Sequence, residues 1–133
     1  MNKRMNKVEL IDLLNTLKID KEEFWILSSG ALVLREIYET AGDLDIAVTF
    51  KGLEQLKANY NLKEKGNGWY IVNDKVECVC DGEIESLRYK PEKLECGYFV
   101  QNIFEYLEYL NSSTREKDIE RIPLVKHYLK KLK

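Results

Sequence analysis

Histidine is nearly absent: the 133-residue chain has one, His127, beside three cysteines, Cys78, Cys80 and Cys96. Cys78-x-Cys80 lacks the longer spacer usual in structural zinc sites, and one histidine cannot complete such a set. An odd number of cysteines without an export signal also argues against a disulfide framework. The thiols are expected to be buried and reduced. No apolar run approaches the ~20 residues needed to span a bilayer, so no membrane role is expected. The basic start Met1-Asn2-Lys3-Arg4 is not followed by an unbroken apolar segment, because Asp12 and Asn15 interrupt it. A signal peptide is therefore not expected, and a cytoplasmic location is the default. Strong charge of one sign is missing too. The net charge of -2 leaves no global electrostatic footprint for nucleic acid.

What is present suits one globular domain over residues 1–133, with 44% hydrophobic and 33% charged residues. Leu10, Leu13, Leu14 and Leu17 make one apolar stripe and predict a helix over 4–18. Phe24-Trp25-Ile26-Leu27 reads as a buried strand, ended by Ser28, Ser29 and Gly30. A helix is expected over 30–39, with Val33, Leu34 and Ile37 inward and Arg35, Glu36 and Glu39 solvated. A strand over 43–49 follows. Lys51-Gly52 reads as a turn, before a helix that ends near Asn59. Residues 62–65 predict a strand and Gly66-Asn67-Gly68 a turn. Trp69–Val72 and Val76–Cys80 form a hairpin about Asn73-Asp74-Lys75. Residues 84–90 are ambiguous, and Tyr98–Val100 is a last short strand. Asn102 caps a helix over 103–110. A final helix starts near Thr114, with a kink or restart at Pro123. Its terminal lysines, Lys126, Lys130, Lys131 and Lys133, read as a solvated end, and His127 as surface.

The informative stretch is Gly42-Asp43-Leu44-Asp45-Ile46. Side chains alternate along a strand, so Asp43 and Asp45 share one face while Leu44, Ile46 and Val48 share the other, where a core would sit. Paired carboxylates repel each other and resist desolvation. A fold rarely needs that arrangement, whereas a divalent metal does. Glu77, between Val76 and Cys78 on a later strand, is a third candidate acid, with Asp81, Glu83 and Glu85 as nearby competitors.

Ser28-Ser29, thirteen residues, Asp43-Leu44-Asp45-Ile46 and then Glu77 resembles the nucleotidyltransferase superfamily. Its pattern is a hydrophobic residue, Gly, and Gly or Ser, then Asp-hydrophobic-Asp/Glu-hydrophobic, with a third acid on a later strand. The chain looks most like small bacterial and phage proteins related to the nucleotidyltransferase toxins of abortive-infection (type IV toxin–antitoxin) systems. Leu27-Ser28-Ser29-Gly30-Ala31-Leu32 is similar to the Gly-Gly-Thr-Ala-Leu turn of that group. Residues 115–122, Arg-Glu-Lys-Asp-Ile-Glu-Arg-Ile, are similar to its C-terminal Arg-x-Lys-Asp-hydrophobic-x-Asp-hydrophobic helix. Ser28 stands where the pattern has glycine, and glycine is the residue that accepts positive φ without cost.

The resemblance implies an α/β (α+β) nucleotidyltransferase-like fold, a mixed, largely antiparallel sheet flanked by helices. It implies Mg2+ (or Mn2+) held by Asp43, Asp45 and Glu77, which would also be the catalytic residues. Ser28, Ser29 and Gly30 would bind the triphosphate of an NTP, and Arg115 and Lys117 would neutralise its charge. The nucleotidyl group would pass to an unknown hydroxyl acceptor: a small molecule, a protein or tRNA. The other reading is a non-catalytic binding or interaction protein of the same fold, related to toxin–antitoxin or phage-defence systems. Trp69 and Tyr70 could stack on a base, but hairpin aromatics more often belong to a core.

Overall fold

A computed structural model describes residues 4–80 and 82–132. Among the described residues, five α-helices surround one seven-stranded sheet. Strands β1 (Phe24–Ile26), β2 (Leu44–Val48) and β5 (Val76–Val79) form its centre. Strands β3 (Lys63–Gly66) and β4 (Trp69–Ile71) lie outside β5, and β6 (Glu92–Lys93) and β7 (Phe99–Val100) outside β1. The order is β3-β4-β5-β2-β1-β7-β6. The β2–β5 and β1–β7 pairs are parallel and the other four antiparallel, so the sheet is mixed and largely antiparallel. Leu44, Ile46 and Val48 are fully buried, as the alternation in β2 predicts. Among the described residues no helix is long and apolar enough to cross a membrane.

Helix α1 runs Lys7–Thr16, shorter at both ends than its leucine stripe suggests. Asn6 starts it with a reciprocal capping box to Glu9, and Met5 is taken up by a bridge to Ala41. Helix α2 runs Ser28–Leu34, so it begins and ends earlier than predicted. Its end is a Schellman motif: Ile37 N–H donates to the Leu32 carbonyl and Glu36 N–H to that of Val33. Glu36 occupies the left-handed position at φ 64°, where glycine is usual, so no sequence signal marks the stop. Arg35, expected in solvent, is buried. Its Nη2 donates to Glu92 Oε1 at 2.8 Å and to the Gln101 carbonyl at 3.0 Å.

Helix α3 (Phe50–Asn59) is capped by Thr49, whose Oγ1 accepts from Gly52 N–H. Gly52 lies inside this helix rather than at a turn. A Cβ there would sit 2.5 Å from the Glu23 carbonyl oxygen, which explains the glycine by close approach. Helix α4 (Ile103–Ser112) is capped by Asn102, as predicted. Helix α5 is continuous over Glu116–Lys131, and no second helix starts at Pro123. Proline removes one backbone donor, but Arg121 and Val125 on either side are buried against the rest of the molecule and hold the helix through it. Leu32 of α2, Ile103, Tyr106 and Leu110 of α4, and Val125 of α5 form a second core cluster beside the main one. Strand β6, two residues long, is too short to leave a period in the sequence. Residues 84–86 form a single 3-10 turn. Lys133 and the first three residues lie outside the described residues.

Candidate active site

The acids are arranged by the one parallel pairing at the sheet centre. In the β2–β5 register Leu44 faces Val76, Asp45 faces Glu77 and Ile46 faces Cys78. Period-two alternation puts Asp45 and Glu77 on the face opposite the buried Leu44 and Ile46. Asp43 lies just before β2 and is exposed. Leu44 N–H donates to the Lys75 carbonyl, which ties this entry to the hairpin that carries Glu77.

Two adjoining clefts open at these residues. One, of about 270 Å³, is lined by Asp45, Lys65, Gly66, Asn67, Trp69 and Glu77. The other, of about 390 Å³, is lined by Arg4, Gly42, Asp43, Asn73, Asp74, Lys75, Val76 and Glu77. Glu77 belongs to both. Burial, then the negative charges of Asp43 and Glu77, push the Asp45 carboxyl up to about 6, with Lys65 opposing. Lys65 Nζ donates to Glu77 Oε1 at 2.8 Å, and this bond holds the ammonium above its ordinary pKa. The three candidate acids therefore share one electrostatic neighbourhood. Their oxygen-only donor set suits a hard divalent cation. Among the described residues no group of three or more His, Cys, Asp or Glu side chains stands as a ready-made metal cage.

Of the competing acids, Glu83 is engaged elsewhere, its Oε2 accepting from Phe50 N–H at 3.0 Å, and Glu85 lies exposed in the 3-10 turn. Asp81 lies outside the described residues.

The serine turn adjoins β2, since Leu27 N–H donates to the Asp45 carbonyl at 2.9 Å. Ser28 has φ 50°, the left-handed region that the glycine of the resembling pattern would occupy freely. Its N–H makes a long bond, 3.4 Å, to Gln101 Oε1. Gly30 is buried, and a Cβ there would lie 3.0 Å from Ile26 Cγ2 and 3.3 Å from Leu44 Cδ1. Its lack of a side chain lets α2 pack on β1 and β2. Ser29 is half-buried in the first turn of α2.

Arg115 and Lys117 line neither cleft. Arg115 Nε stands 3.8 Å from Asp118 Oδ2, and Lys117 is exposed. The motif helix instead contributes two buried charges that the sequence reading passed over. Asp118 accepts from Ser113 Oγ at 2.7 Å and Tyr109 Oη at 3.1 Å. Burial pushes its carboxyl up, but these bonds and the Arg115 and Arg121 charges outweigh that and hold it below the usual range. Arg121 donates to the hydroxyls of Tyr38 and Tyr106 at 3.2 and 2.8 Å.

The residues missed at the first cleft are Lys65 and Asn67. Trp69, for which core was favoured over base stacking, is only half-buried and forms a cleft wall. The clue available was its place directly after the turn Gly66-Asn67-Gly68. Among the described residues no disulfide forms: Cys78 is buried and Cys80 and Cys96 are half-buried. Burial and the neighbouring Cys80 push the Cys78 thiol up to about 11, so it is inert at neutral pH. No family model, curated protein or solved structure matches this chain.

Proposed function

We propose that this chain is a metal-dependent nucleotidyltransferase, moving a nucleotidyl group from an NTP to a hydroxyl acceptor, in a nucleotidyltransferase-like domain. The observation that carries the reading is Asp45 facing Glu77 across β2 and β5, close enough to Asp43 that both neighbours disfavour its charge. Such repulsion costs stability and is relieved by a cation. The donors fit Mg2+ or Mn2+, with Asp43, Asp45 and Glu77 as its ligands. A bound ion would supply charge neutralisation at the α-phosphate and activation of the acceptor hydroxyl. Asp45, half-buried at the floor of the pair, orients the donor set. Glu77 reaches both clefts and is the proposed acceptor of the hydroxyl proton. Ser28 and Ser29 are the proposed triphosphate contacts. Support for this is the strained backbone of Ser28 and the bond from Leu27 to the Asp45 carbonyl.

Calorimetric titration with each NTP and Mg2+ or Mn2+ is the test. Binding is expected, and it should vanish in the Asp43→Ala plus Asp45→Ala variant. No binding by the wild type, or unchanged binding by that variant, overturns the reading. Labelled NTP incubated with total RNA separates a tRNA acceptor from a small molecule or protein.

A second reading, an interaction protein of this fold, is favoured by the exposed apolar side chains Phe104 and Tyr109 on α4 and Ile119 on α5. It is supported if a stoichiometric protein partner is recovered and no nucleotide binds.

A further inference from the structure

Edge strand β3 is exposed along its whole length, and its register against β4 slips once. Lys63 pairs with Ile71 and Glu64 with Tyr70, but it is Gly66 that pairs with Trp69. Lys65 is thus the extra residue of a β-bulge. A bulge takes one residue out of the ladder and re-aims its side chain. Lys65 Nζ reaches past β4 to Glu77 on β5 and bonds Oε1 at 2.8 Å. Among the described residues it is the only cationic side chain lining the cleft it shares with Asp45 and Glu77. Lysine suits an interruptible contact, being a compact charge on a flexible stem. Its side chain is 55% exposed, so the pair is screened and readily broken.

We propose that Lys65 is an exchangeable cation of the acid cleft: it neutralises Glu77 until a divalent ion takes that carboxylate, and then turns to an anionic phosphate oxygen of the ion's ligand. This rests on the reading of Asp43, Asp45 and Glu77 as an ion-holding set and assigns Lys65 the charge-neutralising role that the motif gave to Arg115 and Lys117. The Gly66-Asn67-Gly68 turn follows Lys65 directly, and all three turn residues have positive φ. The bulge is therefore next to a tight, exposed turn, with open space for the stem to swing.

The test uses Mn2+ alone, followed by its paramagnetic resonance signal, on wild type, Lys65→Met and Lys65→Arg. Inorganic tripolyphosphate is then titrated into the Mn2+-loaded proteins by calorimetry, and melting curves check that each variant is folded. Lys65→Met should bind Mn2+ on the order of fivefold more tightly and tripolyphosphate on the order of fivefold more weakly. Lys65→Arg keeps the charge and should stay within about threefold of wild type in both titrations. Mn2+ binding by Lys65→Met with none by wild type also supports the exchange. Equal Mn2+ affinity in wild type and Lys65→Met overturns it while leaving the acid site standing. Unchanged tripolyphosphate affinity in Lys65→Met overturns the anion role. No Mn2+ binding by any of the three proteins overturns the acid site and the exchange together.

Discussion

Asp45 stands opposite Glu77 in a parallel register, and Lys65 donates to Glu77 rather than to Asp45. The cation is therefore bonded to one carboxylate, while part-buried Asp45 meets it only through a charge attraction. Burial first, and then the negative charges of Asp43 and Glu77, raise the Asp45 carboxyl to about 6, and Lys65 only partly opposes that rise.

A pH dependence follows, with a definite sign. The folded-state pKa of Asp45 lies above the ordinary 3.8, so the native state holds its proton longer than the unfolded chain. Below pH 3.8 this group costs nothing, and the cost grows as pH rises to about 6 and is complete above it. A two-unit shift corresponds to ~3 kcal/mol, which screening at this half-exposed site reduces to about 1–2 kcal/mol. Asp45→Asn should stabilise the metal-free protein at pH 7 by that amount and change it little at pH 4. Urea unfolding at both values checks this, and an equal effect at both would refute the assignment.

Ser28 and Glu36 both hold positive φ without being glycine. The left-handed conformation costs an L-residue about 1–2 kcal/mol, and the freedom of glycine returns about 0.5–1 kcal/mol of that. Ser28→Gly and Glu36→Gly should each stabilise by about 0.5–1 kcal/mol. Thermal melts measure this. Destabilisation by either would mean that the side chain outweighs the strain.

Gly52→Ala should do the reverse. The new Cβ would meet a backbone carbonyl, that of Glu23, at 2.5 Å, and the chain cannot swing aside there as a side chain could. A loss of about 1–3 kcal/mol is expected. Gly30→Ala meets side-chain carbons at 3.0 and 3.3 Å, which can yield, so its loss should be smaller. Denaturant midpoints for the two variants rank them.

Arg121→Ala should be the most damaging of these substitutions. It strips the Tyr38 and Tyr106 hydroxyls of their donor and leaves the buried Asp118 with less compensation. A cost of about 2–4 kcal/mol is expected. Asp118, held below its ordinary pKa, contributes stability above the carboxylate range that is lost as pH falls through its lowered value. Asp118→Asn should therefore remove part of the acid limb of the stability profile, read by unfolding between pH 2 and 5.

Much of the fold was legible because its signals are local. Alternation in β2 needs only the neighbours Leu44, Asp45 and Ile46, and the turn at Gly66-Asn67-Gly68 and the cap at Asn102 are each a matter of a few residues. That Asp43 stands near Asp45 was legible for the same reason, although Asp43 lies just before β2 rather than on its face. The end of α2 was not, because Glu36 takes a backbone conformation its side chain does not advertise. Nor was the burial of Arg35, which depends on Glu92 and Gln101, more than fifty residues away in sequence.

The sequence by itself thus determined that two acids stand two residues apart at the start of β2, that a serine pair precedes them, and that a third acid stands on a later strand. Alternation and spacing are properties of the covalent chain. Only the tertiary structure decided which later acid faces Asp45, since a parallel β2–β5 register brings Glu77 there and leaves Glu83 on the Phe50 amide. It also decided which cation meets the acids. A one-residue bulge, invisible in composition and period, aims Lys65 past β4 at Glu77 on β5, while Arg115 of the motif helix turns to Asp118.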